Sequence, residues 1–264
     1  QYWLADRFSP ISMLLVSFPN LNAIVPMFEY LDKIKLLINK MSVDQHEQLV
    51  SAAKIVAEVI KKDGIIHTIG TGHSQMIGME MFGRASNLAN VNAIMDDMVL
   101  MAGGARRSAE MEQISGLAEI LWSNYKFNKG DVLIVISNSG RNALPLEMAM
   151  KAKQEGLTTI AITSLEQSTR YASRHASGKK LYQIADLVID NCVPSGDGVI
   201  SINDLLIGPA SSVLGMIIVN IISTEAIKIN LDRGVDVSVF QSQNIDEADN
   251  EALYQKYESR IKHL

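Results

Sequence analysis

The sequence predicts an α/β protein in which helices cover both faces of one parallel β-sheet, a three-layer αβα sandwich. Two observations predict this fold class. Short, almost wholly apolar segments rich in β-branched residues alternate with longer segments whose apolar residues recur at helical spacing. Polar turns containing glycine follow several of the short segments, as they do where a strand leads into a helix. Because crossovers between parallel strands are right-handed, the sheet is doubly wound.

The elements follow in a regular order. Two helices come first, at 28–40 and 43–62, and each has an apolar stripe. Five strands are predicted at 65–69, 91–95, 132–136, 158–163 and 187–189. Helices are predicted between and after them at 75–88, 108–125, 143–155 and 203–229, with a charged amphipathic helix at 246–264. Polar residues such as Asn220 and Glu225 interrupt the apolar segment 207–229, which favours a core helix over a membrane span.

The composition indicates one globular domain. The 264 residues are 47% hydrophobic and 20% charged, and the net charge of −5 argues against a nucleic-acid or anionic-membrane partner. The single cysteine excludes an internal disulfide, and no Cys/His cluster has zinc spacing. We therefore expect no cofactor and no metal, and a cytoplasmic location.

Residues 1–26 differ from the rest of the chain. Prolines at positions 10, 19 and 26 interrupt any helix, and the apolar segment 13–16 is too short for a secretory signal or a membrane helix. Two interpretations remain open: a non-native leader before a domain that starts at Met27, or an N-terminal extension that packs on a neighbour. The rest, 27–264, shows no repeat or linker and is predicted to be a single domain.

Four polar turns follow predicted strands. They are the turn 70–74 after the first strand, the turn 137–142 after the third, Thr163-Ser164 after the fourth and the loop 191–198 after the fifth. Ligands of an open parallel sheet bind outside the carboxyl ends of its strands. Hydroxyl groups and free backbone N–H groups at a strand-to-helix turn bind anions. The turns therefore predict a phosphorylated small molecule, gripped from more than one side.

A nucleotide is the weaker interpretation. Gly70 and Gly72 could begin a dinucleotide fingerprint, but Gln75 stands where the third glycine is needed. The chain has no Gly-Lys-Ser/Thr sequence for a P-loop. These departures disfavour a Rossmann-type oxidoreductase.

The motifs together resemble the SIS (sugar isomerase) family over residues 28 to 235. The resemblance is carried by Gly-Thr-Gly-His-Ser at 70–74, Ile-Ser-Asn-Ser-Gly at 136–140, Ile-Thr-Ser at 162–164 and the closing apolar helix. The overall pattern is most similar to phosphoheptose isomerases. This resemblance implies a flavodoxin-like sheet of five parallel strands, a homodimer or higher homo-oligomer, and a sugar-phosphate site.

The resemblance also implies which residues bind the sugar phosphate. Ser137 and Ser139 match the family's phosphate-binding serines, and Asn142 falls where relatives often place a hydroxyl that completes the cradle. The first turn usually contacts the sugar. The predicted binding residues are Thr71, Gly72, Ser74, Ser137, Asn138, Ser139, Asn142 and Ser164.

The catalytic residues depart from the family pattern. Arg84 occupies the position of the family's catalytic glutamate, ten residues after Ser74, and the last long helix holds no histidine. Glu80 is the candidate base, although an ion pair with Arg84 at i+4 would lower the pKa of that carboxyl. His73 in the first turn and His175 in the loop 173–180 are the candidate proton carriers.

Each of these three residues also has a structural interpretation, as a helix-surface glutamate or a loop histidine. The three side chains could in principle share a zinc ion, but no metal is required. The sequence favours an aldose–ketose isomerase of a sugar phosphate that uses general acid and base catalysis. Two alternatives remain open: a non-catalytic phosphosugar sensor, and a lyase or etherase acting on an amino-sugar phosphate. Because residues 1–62 contain no basic helix-turn-helix, transcriptional regulation is disfavoured.

Overall fold

The computed structural model describes residues 28–264, so the predicted leader at 1–26 lies outside the described residues. Five strands form one parallel sheet in the order β2-β1-β3-β4-β5, which confirms the predicted fold class. The strands are β1 Ile66–Gly70, β2 Val91–Ala93, β3 Val132–Ile136, β4 Thr158–Thr163 and β5 Leu187–Asp190. Strands β2, β1 and β3 are therefore neighbours in the sheet.

Helices flank this sheet, and an antiparallel hairpin forms a second, two-stranded sheet. The helices are α1 Glu29–Asp44, α2 His46–Lys61, α3 Ser74–Met81, α4 Ala105–Met111, α5 Leu117–Ser123, α6 Ala143–Gln154, α7 Leu165–Arg170, α8 Ser211–Asp232 and α9 Glu251–Tyr257. The hairpin consists of β6 Gly198–Ile202 and β7 Leu205–Pro209.

The core has one apolar layer on each face of the sheet. Successive side chains of a strand point to opposite faces, so Ile134 packs with α2, α3 and α8 while Leu133 and Val135 pack with α5 and α6. All three side chains are buried. This double-sided burial is the reason why the strands read as unbroken apolar runs.

The predicted helix 203–229 is wrong at its start. Residues 198–209 form the β6–β7 hairpin, in which Ile202 is paired with Leu205, and α8 begins at Ser211. Asn203 and Asp204 both have positive φ, as a two-residue hairpin turn requires. The Asn-Asp turn signal thus outweighed the apolar pattern that continues through β7 into α8.

Other helices are shorter than predicted. The helix predicted over 75–88 ends at Met81, and the one predicted over 108–125 is divided into α4 and α5. Gly116, at a φ of 86°, lies between those two helices and allows the chain to turn. Of the segment 246–264, which was predicted to be one helix, only the residues of α9 are helical.

Helix α8 is the segment of residues 28–264 that is long and apolar enough to cross a membrane, by length and composition alone. Its mean hydropathy is 1.6 over its most apolar 18 residues, of which 39% are buried. The buried face, with Leu214, Ile218 and Ile222, belongs to the core layer that contains α2 and α3. Core helices of this kind commonly have such a composition.

Candidate functional site

A cavity of about 450 Å³ opens at the carboxyl end of the sheet. Its walls are the turn 71–74 after β1, the turn 137–139 after β3, and Gly196 and Asp197 after β5. Met101 and α4, which follow β2, close a further side with Ala105 and Ala109, and Gln167 of α7 also lines the cavity. The position agrees with the rule that parallel sheets bind ligands beyond the carboxyl ends of their strands.

The turn after β3 is hydrogen-bonded to the protein on the side away from the cavity, and it has free donors on the side that faces the cavity. Gly140 adopts a φ of 53°, and a Cβ there would lie 2.9 Å from Ser168 Oγ, so glycine is required. The N–H of Gly140 donates to Ser137 Oγ at 3.1 Å, which leaves the hydroxyl proton of Ser137 available. Ser168 Oγ donates to the carbonyl oxygen of Ser139 at 2.8 Å.

Asn138 fixes the same turn to the neighbouring loops. Its side-chain oxygen accepts Nδ2–H of Asn191 at 2.9 Å, and its carbonyl oxygen accepts the N–H of Ser164 at 3.1 Å. Within residues 28–264, no protein acceptor is hydrogen-bonded to the backbone N–H groups of Asn138 and Ser139. These N–H groups and the two serine hydroxyls form a concave set of donors suited to an anion.

The turn after β1 is joined to α4 by a buried serine. Ser108 Oγ donates to the carbonyl oxygen of Val99 at 2.6 Å and accepts the N–H of Gly72 at 3.3 Å. His73 precedes α3 and is exposed at the cavity, where Ser74 also contributes to the wall. The tight turn therefore places an imidazole and a hydroxyl at the cavity while Ser108 holds the backbone behind them.

Among the described residues, Asp197 and Glu112 are the two carboxylates that line this cavity, and Glu112 lies at the C-terminal end of α4. The Glu112 side chain accepts two hydrogen bonds. Oε1 accepts Nδ2–H of Asn142 at 2.6 Å, and Oε2 accepts the hydroxyl of Thr71. The carbonyl oxygen of Glu112 accepts the N–H of Leu144 at 3.0 Å, which ties α4 to the start of α6. The side chain is thus fixed by residues that follow β1 and β3.

Burial raises the pKa of Glu112 above the ordinary value of 4.5. The hydrogen bond from Thr71, the charge of Arg174 and the hydrogen bond from Asn142 oppose this increase, but burial outweighs them. A carboxyl whose pKa is raised toward neutrality is a more effective proton acceptor near pH 7 than an exposed one.

The cavity brings together seven of the predicted site residues. They are Thr71, Gly72, His73, Ser74, Ser137, Asn138 and Ser139. Two other predicted binding residues lie behind the wall. Ser164 is fully buried, and its hydroxyl caps α7 by accepting the N–H of Gln167 and donates to the carbonyl oxygen of Val193. Asn142 is 4% exposed, and its amide contacts Glu112 rather than the cavity.

Two of the three candidate catalytic residues do not line the cavity. Glu80 forms an ion pair with Arg84 at 2.9 Å and accepts Nδ2–H of Asn220 on α8 at 3.1 Å. His175 lies against α6, with Nε2 3.4 Å from Oε1 of Glu147. Helical spacing points Glu80 toward α8 and away from the cavity lining, and its role as base stays a prediction.

The sequence interpretation missed Glu112, Gln167 and Asp197. The sequence indicates only the loop 191–198 that contains Asp197; in the structure this carboxylate accepts the N–H of Ser211 at 2.7 Å and so caps α8. Glu112 is one of several glutamates in its segment, and nothing in the periodicity distinguishes it. Its place after β2, at the sheet edge shared with the serine turns, is the one signal that could have found it.

Residues 28–264 contain no group of three or more His, Cys, Asp or Glu side chains placed to hold a metal ion. The three residues that the sequence allowed to meet on zinc are accordingly not brought together. His73 lies at the cavity, Glu80 faces α8 and His175 packs on α6.

Comparison with known proteins assigns the family. A family model described as SIS domain matches residues 29–164, a little over half of the chain. The chain belongs to the SIS-domain family. This SIS-domain chain is 38% identical over 242 residues to a UPF0309 protein of Caldanaerobacter subterraneus subsp. tengcongensis, which covers 89% of this chain and 98% of the relative. It is 39% identical over 236 residues to a UPF0309 protein of a Geobacillus species, with 88% and 96% covered.

Solved structures share the fold of this SIS domain. A phosphoheptose isomerase from Neisseria gonorrhoeae matches with a TM-score of 0.50 at 18% identity, covering 76% of this chain and 95% of that protein. A phosphoheptose isomerase from Francisella tularensis matches with a TM-score of 0.50 at 16% identity, covering 75% and 95%. At these identities the likeness shows a common fold.

Proposed function

We propose that this SIS domain binds a sugar phosphate in the cavity and interconverts its aldose and ketose forms, with Glu112 as the general base. One observation carries the proposal. The carboxylate of Glu112 and the donors of the turn 137–139 line the same cavity of about 450 Å³. A phosphate-binding turn and a base that share one small cavity meet the requirements of this isomerisation.

The phosphate is assigned to the turn after β3. The hydroxyls of Ser137 and Ser139 and the N–H groups of Asn138 and Ser139 supply donors without a cationic side chain. Hydrogen bonds to a charged phosphate are stronger than those between neutral groups. The rigid backing of the turn by Ser168 and Asn191 keeps these donors in place before the ligand arrives.

The chemical step moves hydrogen and needs no other reactant. Glu112 takes the proton from the carbon next to the carbonyl, which gives an enediolate, and returns it to the carbon that was the carbonyl carbon. A second group must move a proton between the two oxygens, and His73, exposed at the cavity, is placed for that role. The pKa of Glu112, raised by burial, favours its action as a base near neutral pH.

The comparisons support the substrate class. The two solved structures with a TM-score of 0.50 are called phosphoheptose isomerases, so their named activity is the same type of reaction. Most of the binding turns that the sequence motifs indicated lie at the cavity. Glu112, in place of Glu80, supplies the base in this proposal because it contacts the cavity.

The test measures binding and exchange separately. A thermal-shift panel of sugar phosphates identifies a ligand, since binding to the native state raises the melting temperature. Incubation of that ligand in D₂O with the protein, followed by NMR, then measures deuterium incorporation next to the carbonyl. We expect exchange with the native protein and with Glu110→Gln, because Glu110 is an exposed residue of the same helix paired with Arg106. Glu112→Gln is expected to bind and to lose exchange.

Each other outcome contradicts part of the proposal. Binding without exchange by the native protein would favour the sensor alternative. Loss of a substituent from an amino-sugar phosphate would favour the lyase or etherase. If no sugar phosphate raised the melting temperature, the proposal that the turn 137–139 binds phosphate would be wrong.

A further inference from the structure

Two consecutive hydrogen bonds connect Glu112 to the loop 171–180, which follows α7 and includes the segment 173–180. Nδ2–H of Asn142 donates to Glu112 Oε1 at 2.6 Å, and Nη1–H of Arg174 donates to Asn142 Oδ1 at 3.0 Å. Asn142 is 4% exposed, so water does not compete freely for its amide. The three side chains form a chain from the cavity wall to the loop.

The direction of this chain is set by chemistry. A guanidinium has only donors, so the oxygen of the Asn142 amide must face Arg174. The NH₂ group of Asn142 must then face Glu112, where it satisfies a carboxylate better than a protonated acid. Arg174 therefore determines which end of the Asn142 amide meets Glu112.

The loop that carries Arg174 is fixed at several points. The N–H of Arg174 donates to the carbonyl oxygen of Arg141 at 2.9 Å, and the N–H of Leu181 donates to that of Gly140 at 2.9 Å. Lys180 Nζ donates to the carbonyl oxygens of Ser168 and Tyr171. These contacts bring the guanidinium to Asn142 from a well-anchored loop.

We propose that Arg174 and Asn142 are positioning residues, which hold the carboxylate of Glu112 at the cavity wall in the orientation that the reaction needs. This inference rests on the proposed role of Glu112 as base. It gives the loop 171–180 a function without placing any of its residues in the cavity. It also replaces the predicted role of Asn142 in binding phosphate.

The electrostatics agree with this geometry. The charge of Arg174 and the hydrogen bond from Asn142 both lower the pKa of Glu112, against the larger effect of burial. The other titratable side chains that line the cavity are His73 and Asp197.

The experiment titrates Glu112 directly and needs no substrate. Carbon-13 NMR of protein labelled at the glutamate carboxyl carbon follows each signal with pH, and Glu112→Gln assigns the signal of Glu112. Arg174→Gln removes the charge and keeps an amide donor, so we expect the pKa of Glu112 to move upward. Arg174→Lys restores the charge and is expected to move the pKa back toward the native value. Arg170→Gln, an exposed cation beside Tyr171 in the same region, is expected to leave it unchanged.

A second variant covers the case in which Arg174→Gln fails to fold. Asn142→Ser removes the amide that donates to Glu112 and leaves Arg174 in place, and an upward movement is expected there too. An unchanged titration in both variants, or an equal movement in Arg170→Gln, would overturn the proposal. If deuterium exchange fails with every sugar phosphate while the pKa of Glu112 moves as expected, Arg174 and Asn142 do hold Glu112 and the isomerase function is wrong.

Discussion

His67 Nε2 lies 3.1 Å from Asp131 Oδ2 inside the sheet, with the His67 side chain fully buried. Nδ2–H of Asn92 donates to the other ring nitrogen of His67, so Nε2–H is the donor to Asp131. Asp131 also accepts the N–H groups of Ile65 and Asn128. The pair joins β1 to the start of β3, at the end of these strands away from the cavity.

The first prediction concerns the stability that Asp131 contributes. Both carboxylate oxygens of Asp131 accept hydrogen bonds from N–H groups, and Asp131→Asn replaces one of these oxygens with an NH₂ group, which cannot accept. At least one buried N–H then loses its acceptor, and the free energy of unfolding is expected to fall by roughly 2–3 kcal/mol. Urea denaturation at pH 7 measures it. Asp63→Asn is the control, because Asp63 is more than half exposed in its ion pair with Arg260 and is expected to cost under about 1 kcal/mol. Equal losses in the two variants would contradict the prediction.

Acid should weaken the same pair in the native protein. Burial lowers the pKa of His67 below 6.5, and the hydrogen bonds from His67, Ile65 and Asn128 hold the pKa of Asp131 below 3.8 despite its burial. Groups with lowered pKa values in the folded state stabilise it above their ordinary values and lose that contribution as the pH falls. The free energy of unfolding should therefore decline below about pH 6.5.

Glu112 is expected to show the opposite dependence. Its pKa is raised from 4.5 by burial, so its contribution to stability is complete below pH 4.5 and is lost as the pH rises through the raised value. Glu112→Gln does not titrate. The free energy of unfolding of this variant should increase relative to that of the native protein between pH 4.5 and pH 8, which urea denaturation at several pH values measures. Glu110→Gln should show no such trend, and a flat difference for Glu112→Gln would contradict the prediction.

Ser137 and Ser139 should determine affinity for the phosphate. Replacing both with alanine removes two hydroxyl donors to a charged group, each worth roughly 1.5–3 kcal/mol, so binding should weaken by at least about 100-fold. Calorimetry with the ligand from the thermal-shift panel measures the dissociation constant. Ser123→Ala, on α5, is the control. Undiminished affinity of the double variant would exclude phosphate binding by Ser137 and Ser139.

A homodimer remains a prediction, and the hairpin offers a surface for it. Ile202 and Leu205, paired across β6 and β7, are 50% and 65% exposed, and both are apolar. A second copy is the expected partner, because a two-fold interface buries the same patch on both chains, and the net charge of −5 disfavours an anionic membrane.

Light scattering after size exclusion tests this prediction. Ile202→Lys with Leu205→Lys should shift the mass toward the monomer of 29.0 kDa. Ile120→Lys, an exposed apolar residue on α5, should not. A monomeric native protein would refute the prediction.

The sequence by itself determined the sheet and the turns that line the cavity. Wholly apolar strands such as Val132–Ile136 have few alternatives to a sheet covered on both faces, and turns such as 137–140 combine serine with a glycine that must adopt positive φ. These properties are local, so composition and spacing record them. The Asn-Asp turn of the hairpin is also local, and it determines the structure there although the apolar pattern around it predicts a helix.

Only the tertiary structure placed Glu112 at the cavity that Ser137 and Ser139 line. Thr71, Glu112 and Asn142 follow β1, β2 and β3, and they meet because those strands are adjacent in the sheet. Thr71 is 41 positions from Glu112 along the chain, and Asn142 is 30 positions from it. Neither helical nor strand periodicity encodes contacts at such separations. The strand order that creates them is set by packing of the whole core, which is why the sequence alone did not indicate the contacts of Glu112.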